Sequence, residues 1–410
     1  WGAEVQVSTV SELRAAIQAA QAGDTIVLAD GTYASSGNFS CTAQGTAAAP
    51  IVVRAANLHG AVIESSSAEG FKVSGRHWHF EGLDVRGACA SDDDCEHAFH
   101  VMGDADGFVL RRSRVSDFNA QLKANAVQVS GVWQTPDEGL IEDNELFDTR
   151  ARATSLPVTK LNIDTGDDWV VRGNHLHDFQ KGGGNGVSFG AFMKSGGRRG
   201  RFERNLVICQ SQGAFSGGAR IGLSFGGGGT GAQYCAPAFD SSVPCDPEHR
   251  EGVLLNNIVV NCSDVAVYLN LATDTKVLHN TFIATNGVDF RFASSSGLAQ
   301  GNLLSSVVRA RDSGTFTGQQ NVTNVSAATF AGYYRAPLEG DLRLAGDVAP
   351  LSATVSQLVE VTTDYCGRAR PAGQRTVGAL EHPLGDCDTR WSGPPGGGDG
   401  ATGGGSGATG

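Results

Sequence analysis

Lysine is scarce in this chain. Of its 31 basic residues only six are lysines: Lys72, Lys123, Lys160, Lys181, Lys194 and Lys276. Basic charge as a whole is outweighed by 43 acidic residues, giving a formal net charge of -12. A protein without a basic surplus is a poor non-specific nucleic-acid binder, so no nucleic-acid partner is expected. No apolar run approaches the roughly 20 residues that a membrane-spanning helix needs. Charged residues make up only 18% against 40% hydrophobic ones, which excludes a disordered polyampholyte and a coiled coil. Proline is limited to 12 residues, whereas glycine reaches 56 without a G-X-Y period. That is too much glycine for a helical protein, and it is not collagen. A turn-rich β architecture remains, in a chain of 410 residues with room for a sizeable core.

The nine cysteines form no CxxC pair and no Cys/His ladder of the zinc type. Three pairs sit at loop-like spacing: Cys89 with Cys95, Cys235 with Cys245, and Cys366 with Cys387. Loop-stapling disulfides in an oxidising compartment fit this pattern. Cys209 and Cys262 each follow an Asn-headed strand and read equally as stacked core thiols; nine being odd, at least one thiol stays free. The chain opens on Trp1 with no basic-then-apolar leader, as a secreted protein does once its signal is removed, or as a trimmed chain does. A secreted or cell-surface, bacterial-type extracytoplasmic monomer is the expectation. Residues 391–410 are nearly all Gly, Ser, Thr, Ala, Pro and Asp and read as a disordered linker or tail behind a single domain, 1–390.

Short β-rich segments recur with Asn at one point. Asn144, Asn174, Asn205, Asn257, Asn280 and Asn302 mark them, and Ser113 extends the series backwards. The interval between Asn205 and Asn257 fits either two coils or one coil carrying the Gly-rich, cysteine-bearing insertion Gly226 to Pro247. A repeat of this length with three short strands per turn predicts a single right-handed parallel β-helix. Each coil becomes stable only by stacking, and Asn at the turn can take left-handed backbone geometry and bond its counterpart in the next coil. The L-x-x-L-x-L spacing of a leucine-rich repeat is absent. The segment VSTVSELRAAIQAAQAGDTIVLADGTY predicts an amphipathic helix at about 10–22, with Ser11 as N-cap and Leu13, Ala16, Ile17 and Ala20 on one face, covering the open first coil.

These opening residues and the stretch TDYCGRARPAGQRTVGALEH near the end resemble the scaffold of extracellular β-helix polysaccharide-active proteins, over about residues 5–382. Strand parity then sorts side chains. In AFMKS, ARIGLSF, VYLN and VDFRF it places Ala191, Met193, Ile221, Leu223, Phe225, Val267, Leu269, Val288 and Phe290 inside. Phe192, Lys194, Arg220, Gly222, Ser224, Tyr268, Asn270, Asp289 and Arg291 fall on one outer face. The insertion, with Glu248 and His249 near its end, would wall a groove there. His100, His175, His177 and His279 read as structural.

FMKSGGRRGRFERN and SQGAFSGGARIGLSFGG are similar to the catalytic stretch of the chondroitinase B and alginate lyase family. The resemblance implies that Lys194 removes the proton α to a uronate carboxylate, with Arg220 one coil on assisting the departing oxygen; Tyr268, which strand parity puts on the same face, is the reserve acid or base. Phe192, Ser224, Glu248, His249, Asn270, Asp289 and Arg291 would contact the substrate, an acidic polysaccharide. The family's calcium is held by an Asn and two Glu, the Glu pair just before the lysine; here that run is NGVSFGAFM, without an acid. A calcium site of that type is therefore not expected, calcium held by other ligands stays open, and no other cofactor is expected. Two further readings stay open. NIDTGDD superficially resembles polygalacturonase motifs, although Asp167 and Asp168 read as turn residues; and a non-catalytic, glycan-binding or adhesive β-helix is compatible with every feature above.

Overall fold

The computed structural model describes residues 2–394. Its chain winds into a right-handed parallel β-helix built from three long sheets, all parallel. The first sheet runs from Glu4–Val7 to Thr317–Gln319, the second from Phe39–Cys41 to Val308–Arg311, and the third from Gly31–Ser35 to Leu303–Leu304. Within these sheets each strand, apart from the two at the edges, bonds its counterparts one coil before and one coil after, so inward side chains stack in columns. Phe39, Phe71 and Phe99 form one such column, with ring centroids 5.0 and 5.1 Å apart. Fully buried Val, Ile, Leu and Phe continue it through the length of the solenoid.

The asparagine series is a continuous hydrogen-bonded ladder. Asn144 Nδ2 donates to Asn174 Oδ1 at 2.9 Å, Asn205 Nδ2 to Asn257 Oδ1 at 2.9 Å, and Asn280 Nδ2 to Asn302 Oδ1 at 3.0 Å. Each also donates to a carbonyl of the preceding coil and accepts from a backbone N–H. Asn321 closes the series, accepting from Asn302 Nδ2 at 2.9 Å. One expectation is corrected here. Left-handed geometry belongs to the residue before each ladder position: Arg112, Asp143, Gly173, Arg204, Asn256, His279, Gly301 and Gln320. That residue makes the corner, which frees the ladder amide to point inward and reach both neighbours. Leu206 and Ile258 are register partners, so the long interval is one coil carrying an insertion.

Helix α1 (Val10–Ala19) closes the first coil, burying Leu13 and Ile17 in the main core. Its N-cap is Thr9 rather than Ser11: Thr9 Oγ1 accepts from Glu12 N, and the Glu12 carboxylate accepts from Thr9 N. This reciprocal box needs Ser or Thr three residues ahead of Glu, a spacing that Thr9 has and Ser11 lacks. At the other end, solenoid strands stop at Gln319. The residues from Val322 to Trp391 fold back over the third sheet, where Phe330, Tyr334, Leu342, Leu351 and Val377 pack on the outward Leu206, Ile208, Ile258, Val260 and Ile283. The Gly-rich tail expected from 391 falls mostly on residues 395–410, outside the described residues.

Four disulfides are present. Cys89–Cys95, Cys235–Cys245 and Cys366–Cys387 pair as their spacing suggested. The fourth, Cys209–Cys262, joins two successive coils at a Cα separation of 4.9 Å, in place of two stacked thiols. Cys41 is the free, buried thiol. No helix among the described residues is long and apolar enough to cross a membrane.

Candidate active site

The outer face of the second sheet carries two stacked rows. Register pairing places Lys72, His100, Lys123, Asn162, Phe192, Ser224, Tyr268, Asp289 and Arg309 in one row. Asp164 and Lys194 stand side by side in the second row, as Asn270, Arg291 and Arg311 do three coils on. Lys123, Asn162, Phe192, Tyr268 and Asp289 of the first row and Asp164, Lys194, Arg291 and Arg311 of the second floor a cavity of 570 Å³, walled by Gly227, Gly228 and Gly229 of the insertion. Three of the six lysines of the chain, Lys123, Lys181 and Lys194, line this one cavity. With Arg291 and Arg311 they set five cations against Asp164, Asp264 and Asp289.

Lys194 closes the strand Val187–Lys194, where Ala191 and Met193 anchor in the core and Lys194 emerges. Its Nζ lies 3.7 Å from Asp164 Oδ1 and 4.8 Å from the centroid of the Phe192 ring. Asp164 is shared. Its other oxygen is taken by Lys123 Nζ, which also donates to Asn162 Oδ1 at 3.0 Å, and Ser195 Oγ donates to Oδ1. Burial pushes the Asp164 carboxyl up, but the Lys123 and Lys194 ammonium groups outweigh it and hold the group below the usual carboxylate range. Across the cavity, Tyr268 accepts from Arg291 Nη1 at 2.8 Å and from Asn270 Nδ2 at 3.3 Å. Asp289 is buried beneath its two partners, Arg309 and Arg311.

Parity places Lys194, Phe192, Tyr268 and Arg291 on this face as expected, but it fails at Gly190 and Gly222, in the strands of Lys194 and Ser224. Gly190 and Gly222 turn inward beside Ala191 and Leu223: a Cβ on Gly222 would lie 2.7 Å from Val259 Cγ1, and one on Gly190 3.4 Å from Val207 Cγ1. Two inward residues in succession reverse the alternation upstream. Phe189 and Ile221 therefore line the cavity instead of the core, and Gly222 lies inside. Arg220 does not join Lys194. It is 3% exposed, with its guanidinium folded back onto Gly217 O at 2.5 Å and Gln210 Oε1 at 3.0 Å. Arg220 is thus a brace for the loop before its strand.

Three further candidates have structural work. Ser224 is fully buried, its hydroxyl between the carbonyls of Gly226 and Tyr268. His249 is 1% exposed and stacks on Phe225 at 4.2 Å; burial alone pushes its pKa down to about 3. Glu248 accepts from Gly227 N at 2.9 Å and Gly228 N at 3.1 Å, so it pins the glycine wall rather than facing a ligand. Burial raises its pKa, against those two N–H groups and Lys194. Asp167 and Asp168 are turn residues, both held by Arg199. Lys123, Asn162, Asp164 and Arg311 were missed. The signal was available: VTKLNID, one coil before Lys194, has the same alternation and carries Asn162 and Asp164 outward.

A calcium ion of the kind implied by the resemblance does not fit this donor set. Asp164 is paired by two lysines, Asp289 by two arginines, and Glu248 is consumed by backbone N–H groups.

Residues 2–141 match the family model described as "Pel9A-like, right handed beta helix region". The crystal structure of pectate lyase Pel9A superposes with a TM-score of 0.66 at 14% identity, covering 93% of this chain and 97% of its own. The two chains share the right-handed parallel β-helix. A rhamnogalacturonan lyase structure agrees, with a TM-score of 0.59 at 14% identity over 82% of this chain and 92% of its own. No curated protein matches the chain by sequence. The family match ends at residue 141, so of the residues lining the cavity only Lys123 falls within it.

Proposed function

We propose that the protein is a secreted polysaccharide lyase that cleaves a uronic-acid-containing polysaccharide by metal-independent β-elimination in the groove of the second sheet. The observation that carries this reading is the concentration of half of a scarce lysine complement, with Arg291 and Arg311, in one cavity of a protein whose net charge is -12. Local potential in a walled groove governs ligand choice more than global charge does. The flanking Phe189, Phe192 and Tyr268 supply flat apolar surface for sugar rings.

In the proposed reaction, the Lys194 ammonium first gives up a proton to solvent, and the free Nζ then takes the proton α to the uronate carboxylate. Those electrons form the ring double bond as the bond to the 4-oxygen breaks. Lysine suits this task because its ammonium can surrender a proton, which a guanidinium does not do. Arg291 and Arg311 meet the charge that develops on the carboxylate. Tyr268 has its oxygen engaged by Arg291 and Asn270, which leaves its one hydrogen to donate to the departing oxygen. A hydrolase would require two free carboxylates on the groove face, and Asp164 and Asp289 are both neutralised by paired cations. Four disulfides support an oxidising, extracytoplasmic setting.

Incubation with pectate, alginate and glycosaminoglycans, followed by ultraviolet absorbance, tests the proposal. An unsaturated uronate chromophore that chelator does not abolish is the expected result. Reducing ends without the chromophore would make the protein a hydrolase; binding with neither product would make it an adhesin.

A further inference from the structure

Away from the groove, the outer face of the third sheet carries a second concentration of ligating side chains. Glu145 and His175 are register partners on adjacent coils, and His177 lies two residues on, opposite Phe147. Their coordinating atoms all lie within 4.8 Å of one another, and the two imidazoles stack at 4.3 Å. His175 keeps both ring nitrogens buried and without a hydrogen-bond partner among the described residues. A buried polar atom left in that state costs roughly 1–3 kcal/mol, so an unpartnered ring beside a carboxylate calls for an occupant.

The surroundings are prepared on the far side of each donor. Asp178 Oδ2 lies 2.8 Å from His177 Nδ1, which leaves Nε2 directed at Glu145 Oε1, 3.3 Å away. Asp178 is itself fixed by Ser211 N at 2.7 Å and Gln212 N at 3.1 Å. Arg114 Nε binds Glu145 Oε2 at 2.7 Å and leaves Oε1 to face the histidines.

We propose that Glu145, His175 and His177 bind a divalent transition-metal ion of the zinc class. Two imidazole nitrogens and one carboxylate oxygen are a donor set that zinc favours and that calcium and magnesium, which take oxygen, do not. Asp178 is the outer carboxylate that fixes the orientation of a ligating histidine. The ion would bridge two coils, and Trp391 from the end of the C-terminal cover packs against His175 at 5.8 Å, so the site also fastens that cover. The group Glu69, His97 and His100 meets the same distance criterion but is less prepared: the amide of Asn125, not a carboxylate, stands behind His100, and His97 leaves only Nδ1 buried and unpartnered where His175 leaves both nitrogens.

The site is independent of the groove and can be tested without any substrate. Zinc chloride titrated into the full chain by calorimetry should show one bound equivalent and perturb tryptophan fluorescence. His175→Gln should weaken binding by about tenfold or more, the size of effect seen even for outer partners of a metal site, whereas Glu69→Gln should leave it unchanged. Should His175→Gln not fold, the wild-type protein with cobalt(II) decides: an intense visible spectrum of a low-coordinate, nitrogen-ligated ion supports the site, and a weak aqua-like spectrum overturns it. Absence of stoichiometric zinc binding, full binding by His175→Gln, or loss of binding in Glu69→Gln would each overturn it too.

Discussion

The second and third sheets are made by the same rule and end in opposite conditions. Both stack parallel strands coil upon coil, and both send one set of side chains into the shared core. On the second sheet the opposite set is Lys123, Asn162, Phe192, Tyr268 and Arg291, open to a cavity. On the later coils of the third sheet it is Leu206, Ile208, Ile258, Val260 and Ile283, sealed under the C-terminal cover. The solenoid itself is indifferent to what its outer face holds. That face decides whether a sheet becomes a site or a seat for another part of the chain.

Changing one face should therefore leave the other untouched. The largest effect is expected for Lys194→Ala: loss of the base should lower turnover by on the order of 10³-fold. The melting temperature should hardly move, since Nζ makes only a 3.7 Å ion contact and a ring contact. Retained turnover, read as chromophore formation, would end the proposed role of the groove. Phe330→Ala attacks the covered side, emptying a fully buried site; urea unfolding should show a loss of about 3–5 kcal/mol, with turnover per folded molecule unchanged. Tyr268→Phe should cost roughly 10²-fold in turnover, as expected for one hydrogen-bond donor to a developing oxyanion, and little stability.

The smallest effect concerns acid. The Asp164 carboxyl is held below its ordinary range by Lys123 and Lys194, so its ion pairs stabilise the fold above the usual carboxylate range and that contribution is lost as pH falls through the lowered value. Wild type should exceed Asp164→Asn by about 1 kcal/mol near neutrality. The gap, followed by denaturant unfolding, should close in acid; one that widened would contradict the pairing.

What the sequence revealed follows the same division. Inward columns and the asparagine ladder repeat with the coil, so the fold, the cap and three disulfides were legible from spacing. The groove floor at Phe192, Lys194, Tyr268 and Arg291 followed from alternation alone. Arg220 was misplaced because Gly190 and Gly222 interrupt that alternation, and a glycine carries no side-chain polarity to reveal which way it faces. Asp164 was overlooked although its strand has the same pattern, because its role appears only when Lys123 and Lys194 converge on it from two other coils. The covered sheet had left a trace as well. LVI and IVV are apolar at every position, the signature of strands buried on both faces rather than one.

The Cys209–Cys262 bridge has a consequence for the survival of the protein among proteases. It encloses the whole excursion that builds the glycine wall, with the Cys235–Cys245 loop nested inside. Exposed residues of that excursion, Tyr234 and Val243 among them, are where a protease would cut first. One nick anywhere between 210 and 261 leaves both fragments covalently joined on adjacent coils, still stacked through the ladder bond from Asn205 to Asn257. Such a clipped molecule would run as a single species until a reductant separates it, and the groove floor would outlast damage to its wall.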